Sequence, residues 1–209
     1  MARPSPVIPI HSAAPAAIES RALGTLAYIR ASIESSSSMD LPGMAGIVMG
    51  MVGILAAIMV SLPRWAPHWL GIWLCAVAIA LTFGGALVAR QIGLRGHARY
   101  WGPARKFLLC LCPALLAGAV LTGVLYAVGV AGVIPGMWLL LYGCAVLSAS
   151  TVTSAGITRL VSIMGALFVA SGAMTFALPA TFHTAMLGLG FGGLHIVFGL
   201  LIRRVADAG

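Results

Sequence analysis

The chain has 209 residues, of which 61% are hydrophobic and only 8% charged. That is too few polar side chains to cover a water-exposed surface, since soluble domains carry roughly 25% charged residues. Mean hydropathy is +1.07. A soluble enzyme, a disulfide scaffold and a disordered chain are therefore excluded, and the composition implies an all-α polytopic membrane protein. The net charge of +8 fits basic residues clustered at the ends of apolar stretches better than a nucleic-acid surface.

Residues 1–15 read as a disordered leader rich in proline, alanine and serine. No secretory signal is visible, because proline interrupts the only short apolar stretch there. Residues 16–36 differ. Ile18, Ala22, Leu26, Ile29 and Ile33 fall on one helical face. The segment is too short and too polar to span. It is expected to form an N-terminal cytoplasmic amphipathic helix, lying in the inner interface or packing on the bundle or a partner. A serine run at 35–38 and Leu41-Pro42-Gly43 then break it.

Six apolar segments follow, near 43–61, 69–89, 107–128, 136–152, 160–179 and 186–202, within a transmembrane domain over 43–204. Each approaches the ~20 residues that cross a ~30 Å hydrocarbon core. They do not alternate as barrel strands would. With the N-terminus in the cytoplasm, all of the 12 Lys and Arg residues except Arg64 fall on the inner side. That asymmetry predicts a multi-pass protein of the plasma (inner) membrane with both termini cytoplasmic. Pro113, early in the third span, is expected to kink it or to sit in its first turn.

Parts of the chain resemble each other. Trp69-Leu-Gly-Ile-Trp-Leu-Cys-Ala-Val77 matches Trp138-Leu-Leu-Leu-Tyr-Gly-Cys-Ala-Val146, and Gly53-Ile-Leu-Ala-Ala57 matches Gly123-Val-Leu-Tyr-Ala127. A weaker third copy begins at Gly165. The spans thus read as three tandem, parallel helical hairpins, against the alternative that Leu/Ala/Gly-rich spans look alike by chance.

Small residues mark helix-packing faces, because span association in lipid depends on close approach. Gly46, Gly50 and Gly53 share a face of span one, with Gly43 and Ala57. Gly118 lies with Ala114 and Thr122 on span three, and Ala76, Ala80 and Gly84 on span two. Ser162, Ala166 and Ala170 form a stripe on span five. Gly188, Gly192 and Gly199 do so on span six.

His195 shares that last face and lies roughly 12 Å along the helix from Arg203, near the middle of the membrane. It is the candidate ligand or proton site, since an ionisable group at that depth is costly and suspect by default. The competing reading is a structural hydrogen bond to Ser171, Thr175, Thr122 or Tyr126. No metal and no cofactor are expected. His183 is too far along the helix to share an ion with His195, Cys110 and Cys112 diverge, and a second buried histidine for haem is lacking. Cys75 and Cys144, equivalent in the repeat, are expected to be free thiols. Hydroxyls at Ser148, Ser150, Thr151, Thr153 and Ser154 are expected to bond their own helix, or else to line a polar vestibule.

The basic run Arg90, Arg95, Arg99, Arg105 and Lys106 reads as the longest inner loop, contacting lipid head groups or a protein partner. No acidic residue lies within a span, which removes paired-carboxylate catalysis.

The stretch Leu23-Gly-Thr-Leu-Ala-Tyr-Ile-Arg30, Glu34, Pro42-Gly43 and Met49-Gly50, with Phe191-Gly-Gly-Leu-His-Ile-Val-Phe-Gly199, resembles a family of uncharacterised bacterial six-span integral membrane proteins. The resemblance implies the architecture and no activity.

The leading expectation is a membrane module of regulatory, sensory or accessory type without catalytic residues. The alternatives are a transporter or channel for a small neutral solute, and a redox or quinone-associated protein using His195. Expected partners are the lipid bilayer, a protein at the cytoplasmic face and a second copy of the chain, and not nucleic acid.

Overall fold

The computed structural model describes residues 21, 23–26, 28–29, 39–95 and 97–208. In the N-terminal unit, which ends at Ser36, the described residues 21–29 are helical and exposed, Leu26 and Ile29 included. Ile18, Ile33 and the leader lie outside the described residues.

The described residues of the second unit are mostly helical, with one isolated bridge between Met39 and Thr153. α1 is Gly43–Ser61, α2 Trp69–Arg95, α3 His97–Ala127, α4 Ile134–Ser150 and α5 Ala155–Ala177. The sixth span has three parts: α6, His183–Leu187; a π-helical turn, Gly188–Leu194; and α7, His195–Ala208. Among the described residues there are six helices long and apolar enough to cross a membrane. The protein is a six-span, all-α membrane protein.

Local chemistry sets the helix ends. Leu62 and Leu178 are extended and each precedes a proline, whose ring disfavours the helical conformation one residue earlier. After α3, Gly129 adopts φ +78. The Val130 amide bonds the Leu125 carbonyl at 2.9 Å and the Gly129 amide bonds the Tyr126 carbonyl at 3.2 Å. This is the pair of bonds by which a left-handed glycine closes a helix.

Three sequence expectations about the elements need correction. The stretch around Arg90–Lys106 is not an open loop. α2 continues through Arg95 and α3 begins at His97. Charged residues mark where a helix leaves the hydrocarbon, but nothing in them ends the helix. Pro113 lies well inside α3 rather than in its first turn. The sixth span is the longest, Ala180–Ala208, and not the short 186–202 expected, because the helical winding runs past the apolar run at both ends.

Two glycine seams hold the bundle. Along the first, α1 packs on the sixth span. A Cβ on Gly50 would fall 2.7 Å from the Gly192 carbonyl oxygen, and one on Gly53 the same distance from that of Phe191. A Cβ on Gly199 would stand 2.8 Å from the Gly43 oxygen. Gly46 faces Gly199, and Gly188 meets Ala57. The second seam joins α4 to α5. A Cβ on Gly143 would lie 2.7 Å from the Val169 nitrogen, and one on Gly172 2.6 Å from the Leu140 nitrogen. Only glycine allows backbones this close. Of the stripe Ser162, Ala166 and Ala170 only Ser162 reaches a neighbour, donating to Ser150 Oγ of α4 at 2.9 Å; Ala166 and Ala170 are exposed, while Gly165, Phe168 and Gly172 are buried.

The sixth span is central, with 50% of its most apolar window buried, and α3 peripheral, with 11%. α3 packs on α4 but only loosely on α2. The core gathers Trp73, Leu139, Phe168, Leu187 and Phe198 between the spans. Leu116 and Val120 on α3 and Leu55 on α1 are exposed, as expected of side chains that face lipid rather than water.

Candidate functional site

The π turn positions the site. Glycines at 188, 190, 192 and 193 allow the wider winding, and turns of this kind often sit at functional positions. Phe191 and His195 leave it on one face, their rings stacked at 20° with centroids 6.2 Å apart. Opposite them stands Tyr142 of α4. Its hydroxyl and His195 Nε2 are 2.7 Å apart, a short hydrogen bond between side chains on different spans. Tyr142 also meets Phe168 edge-on, with centroids 4.8 Å apart, and Phe191 at 5.2 Å. His195 meets Phe168 at 5.4 Å. Four rings from three spans thus enclose one hydrogen bond.

His195 is buried, with 4% of its surface exposed, and points into the bundle. Its partner is Tyr142 and none of the four hydroxyls expected. Thr175 Oγ1 donates to the Ser171 carbonyl of its own helix. Thr122 Oγ1 donates to the Gly118 carbonyl and accepts from Trp138 Nε1 at 2.7 Å. Tyr126 is 61% exposed. The far side of the ring is less complete. Among the described residues, its Nδ1 has no hydrogen-bond partner.

The cluster forms one wall of a crevice of about 300 Å³. α1 contributes Met49, Val52 and Gly53, α4 Trp138, Leu141 and Tyr142, and the sixth span Phe191 and His195. The two lips are α2 and α3. Leu74 and Val77 on one, and Leu115 and Ala119 on the other, are exposed lining residues. They lie in the interior of their spans, so the mouth opens on the flank of the bundle.

The small-residue stripes of α2 and α3 take on a different meaning here. Ala76 and Ala80 line the crevice, as do Ala114, Gly118 and Thr122. They face a gap instead of closing it. Gly118 is not a close-approach glycine: a Cβ there would stand 3.6 Å from Leu141, in ordinary contact.

Trp73 lies in the same wall and is 2% exposed. Its ring packs on Phe191, with centroids 6.1 Å apart. Its indole Nε1 has no hydrogen-bond partner among the described residues. Trp138, half-buried in the same wall, differs in that its Nε1 donates to Thr122.

The remaining sequence candidates lie elsewhere. Arg90, Arg105 and Lys106 are exposed, and the backbones of Arg95 and Arg99 are helical. Cys75, Cys110, Cys112 and Cys144 are free thiols. The hydroxyl cluster is tied to backbone: Ser150 to Leu147, Thr151 to Ser148 and Thr153 to Ser150. Among the described residues, no three His, Cys, Asp or Glu side chains are grouped as metal ligands would be.

Trp73, Tyr142 and the glycines of the α4–α5 seam are the residues that sequence reasoning missed. Trp73 and Tyr142 are counterparts in the repeated nonapeptide, and both reach Phe191. Gly136 and Gly143 are a heptad apart, as are Gly165 and Gly172, the spacing of a packed seam between nearly aligned helices.

No family model, curated protein or solved structure matches this chain.

Proposed function

We propose that this chain is a membrane module of regulatory, sensory or accessory type that takes a lipophilic molecule from the bilayer into the crevice between α2 and α3. The observation that carries the reading is the crevice itself: apolar, open on the flank of the bundle, with two hydrogen-bonded pairs among its lining side chains, Tyr142 with His195 and Trp138 with Thr122. Its volume lies at the low end for small-molecule sites. It fits a small lipophile, or one arm of a larger one whose remainder stays among the lipid chains.

Conduction of a polar solute is the weaker reading. The buried hydroxyls of Thr122, Thr153 and Thr175 each bond backbone of their own or the adjoining turn. A channel or transporter needs such groups aligned along a path. A hydrolytic or transfer reaction lacks a nucleophile–base–acid set around His195, whose Nε2 is already engaged by a phenol.

The reading carries a topology. Both termini and the helical ends around Arg90–Lys106 are placed in the cytoplasm of a plasma membrane, by the distribution of basic residues. Residues 16–36 are proposed as an amphipathic helix of the inner interface, open to a protein partner or a second copy of the chain.

Filling the crevice tests the proposal. Gly118→Leu adds volume where the nearest neighbour is the flexible end of Leu141, so the fold should survive. Protein purified from its own host membrane in mild detergent is extracted with organic solvent. The parent chain should release a lipophile at a constant molar ratio, and Gly118→Leu should release much less. Equal release from both would overturn the reading.

A further inference from the structure

Trp73 presents an unmet chemical requirement. An indole Nε1–H is a donor only. Here it is buried, and nothing among the described residues accepts from it. A donor left unpaired away from water costs stability, and buried donors in folded proteins nearly always have a partner. The surroundings make a bulk-water partner a poor solution, because the crevice lining is almost wholly apolar and its mouth opens on the flank of the bundle. Trp138, in the same wall, has its acceptor in Thr122. Trp73 has the same ring, is more deeply buried than the half-buried Trp138, and has no acceptor among the described residues.

Resting on the reading of the crevice as a lipophile site, we infer that its ligand carries a carbonyl oxygen, which accepts a hydrogen bond from Trp73 Nε1 while the apolar body lies between α2 and α3. The stripes Ala76 and Ala80 on α2 and Ala114 and Gly118 on α3 face that space with side chains no larger than a methyl group, leaving a slot for a slender chain. Phe191 packs against both the Trp73 indole and the Tyr142–His195 pair. Two sources supply such an oxygen: the ester of a membrane phospholipid, and a free lipid-soluble ketone or quinone.

The test uses the full chain in nanodiscs of ether-linked phospholipid, which brings no ester carbonyl. Methyl nonyl ketone and undecane are matched probes with and without the oxygen. Thermal stabilisation reports binding, because a ligand that binds only the folded state raises the midpoint. The ketone should bind about tenfold more tightly than undecane, the fold-change expected when a buried unpaired donor gains its acceptor. Trp73→Phe should abolish that preference and leave undecane binding in place. In the parent chain labelled with nitrogen-15 at its indoles, one indole N–H resonance should move downfield with the ketone and not with undecane. This readout stands even if the Phe variant folds poorly.

Nanodiscs of ester-linked phospholipid separate the sources. If those lipids alone move the same resonance and the ketone then adds nothing, the carbonyl comes from phospholipid. If the ketone still binds, it comes from a free lipophile. Equal binding of ketone and undecane by the parent chain, with no indole resonance moving, would overturn the carbonyl assignment while leaving the crevice occupied. Binding of neither probe would overturn the reading of the crevice as well.

Discussion

Trp69 rests against Trp138, their ring centroids 6.3 Å apart at an angle of 52°. The two residues occupy the same place in the repeated nonapeptide of α2 and α4. One helical turn further along each copy, Trp73 and Tyr142 both pack on Phe191. The copies therefore run in the same direction and converge on the sixth span. Where they differ, the site becomes asymmetric. Tyr142 finds His195 as its partner, and Trp73 finds none.

The Trp69–Trp138 contact should be measurable as a coupling. Tilted aromatic pairs contribute about 0.5–1.5 kcal/mol beyond the area they bury. Trp69→Leu and Trp138→Leu, singly and together, should give a coupling in that range by reversible unfolding in detergent. A coupling indistinguishable from zero would mean that the rings are merely neighbours. Thr122→Val provides a separate check on Trp138. It should cost about 1 kcal/mol by removing the acceptor of the indole N–H.

The glycine seams set a sharper contrast. At Gly143 and Gly172 a methyl group would strike backbone at 2.7 and 2.6 Å, whereas at Gly71 and Gly123 it would meet nothing within 4 Å. Gly143→Ala and Gly172→Ala are expected to destabilise by about 1–3 kcal/mol through overpacking. Gly71→Ala and Gly123→Ala should be neutral or slightly stabilising, since alanine is the better helix former. Thermal midpoints of the four variants in one detergent decide the matter. Equal behaviour of the two pairs would refute the seam.

The spans were legible in the sequence because each is a continuous apolar run, and no other composition crosses hydrocarbon. The first seam was legible because Gly43, Gly46, Gly50 and Gly53 lie on one face. The site was less so. His195 was visible as an imidazole at mid-membrane depth, yet its partner depends on how α4 approaches the sixth span. That in turn depends on Gly136, Gly143, Gly165 and Gly172, a heptad pattern easily lost among 26 glycines. The stripes on α2 and α3 misled for a physical reason. Small residues permit close approach but do not compel it, so the same pattern serves a seam and a slot. The basic run misled likewise, since Arg90 and Arg105 end the hydrophobic stretches of α2 and α3 without ending the helices.

Orientation is open to a direct test. Reporter fusions after Gly209 and at position 96, between α2 and α3, should both report cytoplasm. Fusions within 62–68 and 128–133 should report the opposite side. An even number of spans places both chain ends together, and the basic residues other than Arg64 choose the side. A cytoplasmic signal from 128–133 would reverse the assignment.

The Tyr142–His195 bond yields the last expectation. Tyr142→Phe keeps the ring that packs on Phe168 and Phe191 but removes the hydroxyl, leaving His195 Nε2 buried without its partner. The loss should be about 1–2 kcal/mol, above the ~0.6 kcal/mol average of hydrogen bonds between spans, because a stranded polar atom adds its own desolvation cost. His195→Leu in the Tyr142→Phe background should restore part of it, since an apolar pair strands nothing. His195→Gln with Tyr142 intact tests whether imidazole itself is required. An amide can replace the bond to the phenol, so folded yield and thermal midpoint should stay close to those of the parent. Lipophile content then divides the roles. If it is retained in His195→Gln and lost in Gly118→Leu, His195 orders the wall of the crevice and does not touch the ligand. If it falls in both while the fold holds, the imidazole is part of the binding surface. Tyr142→Phe with an unchanged midpoint would show that the bond contributes nothing to the fold.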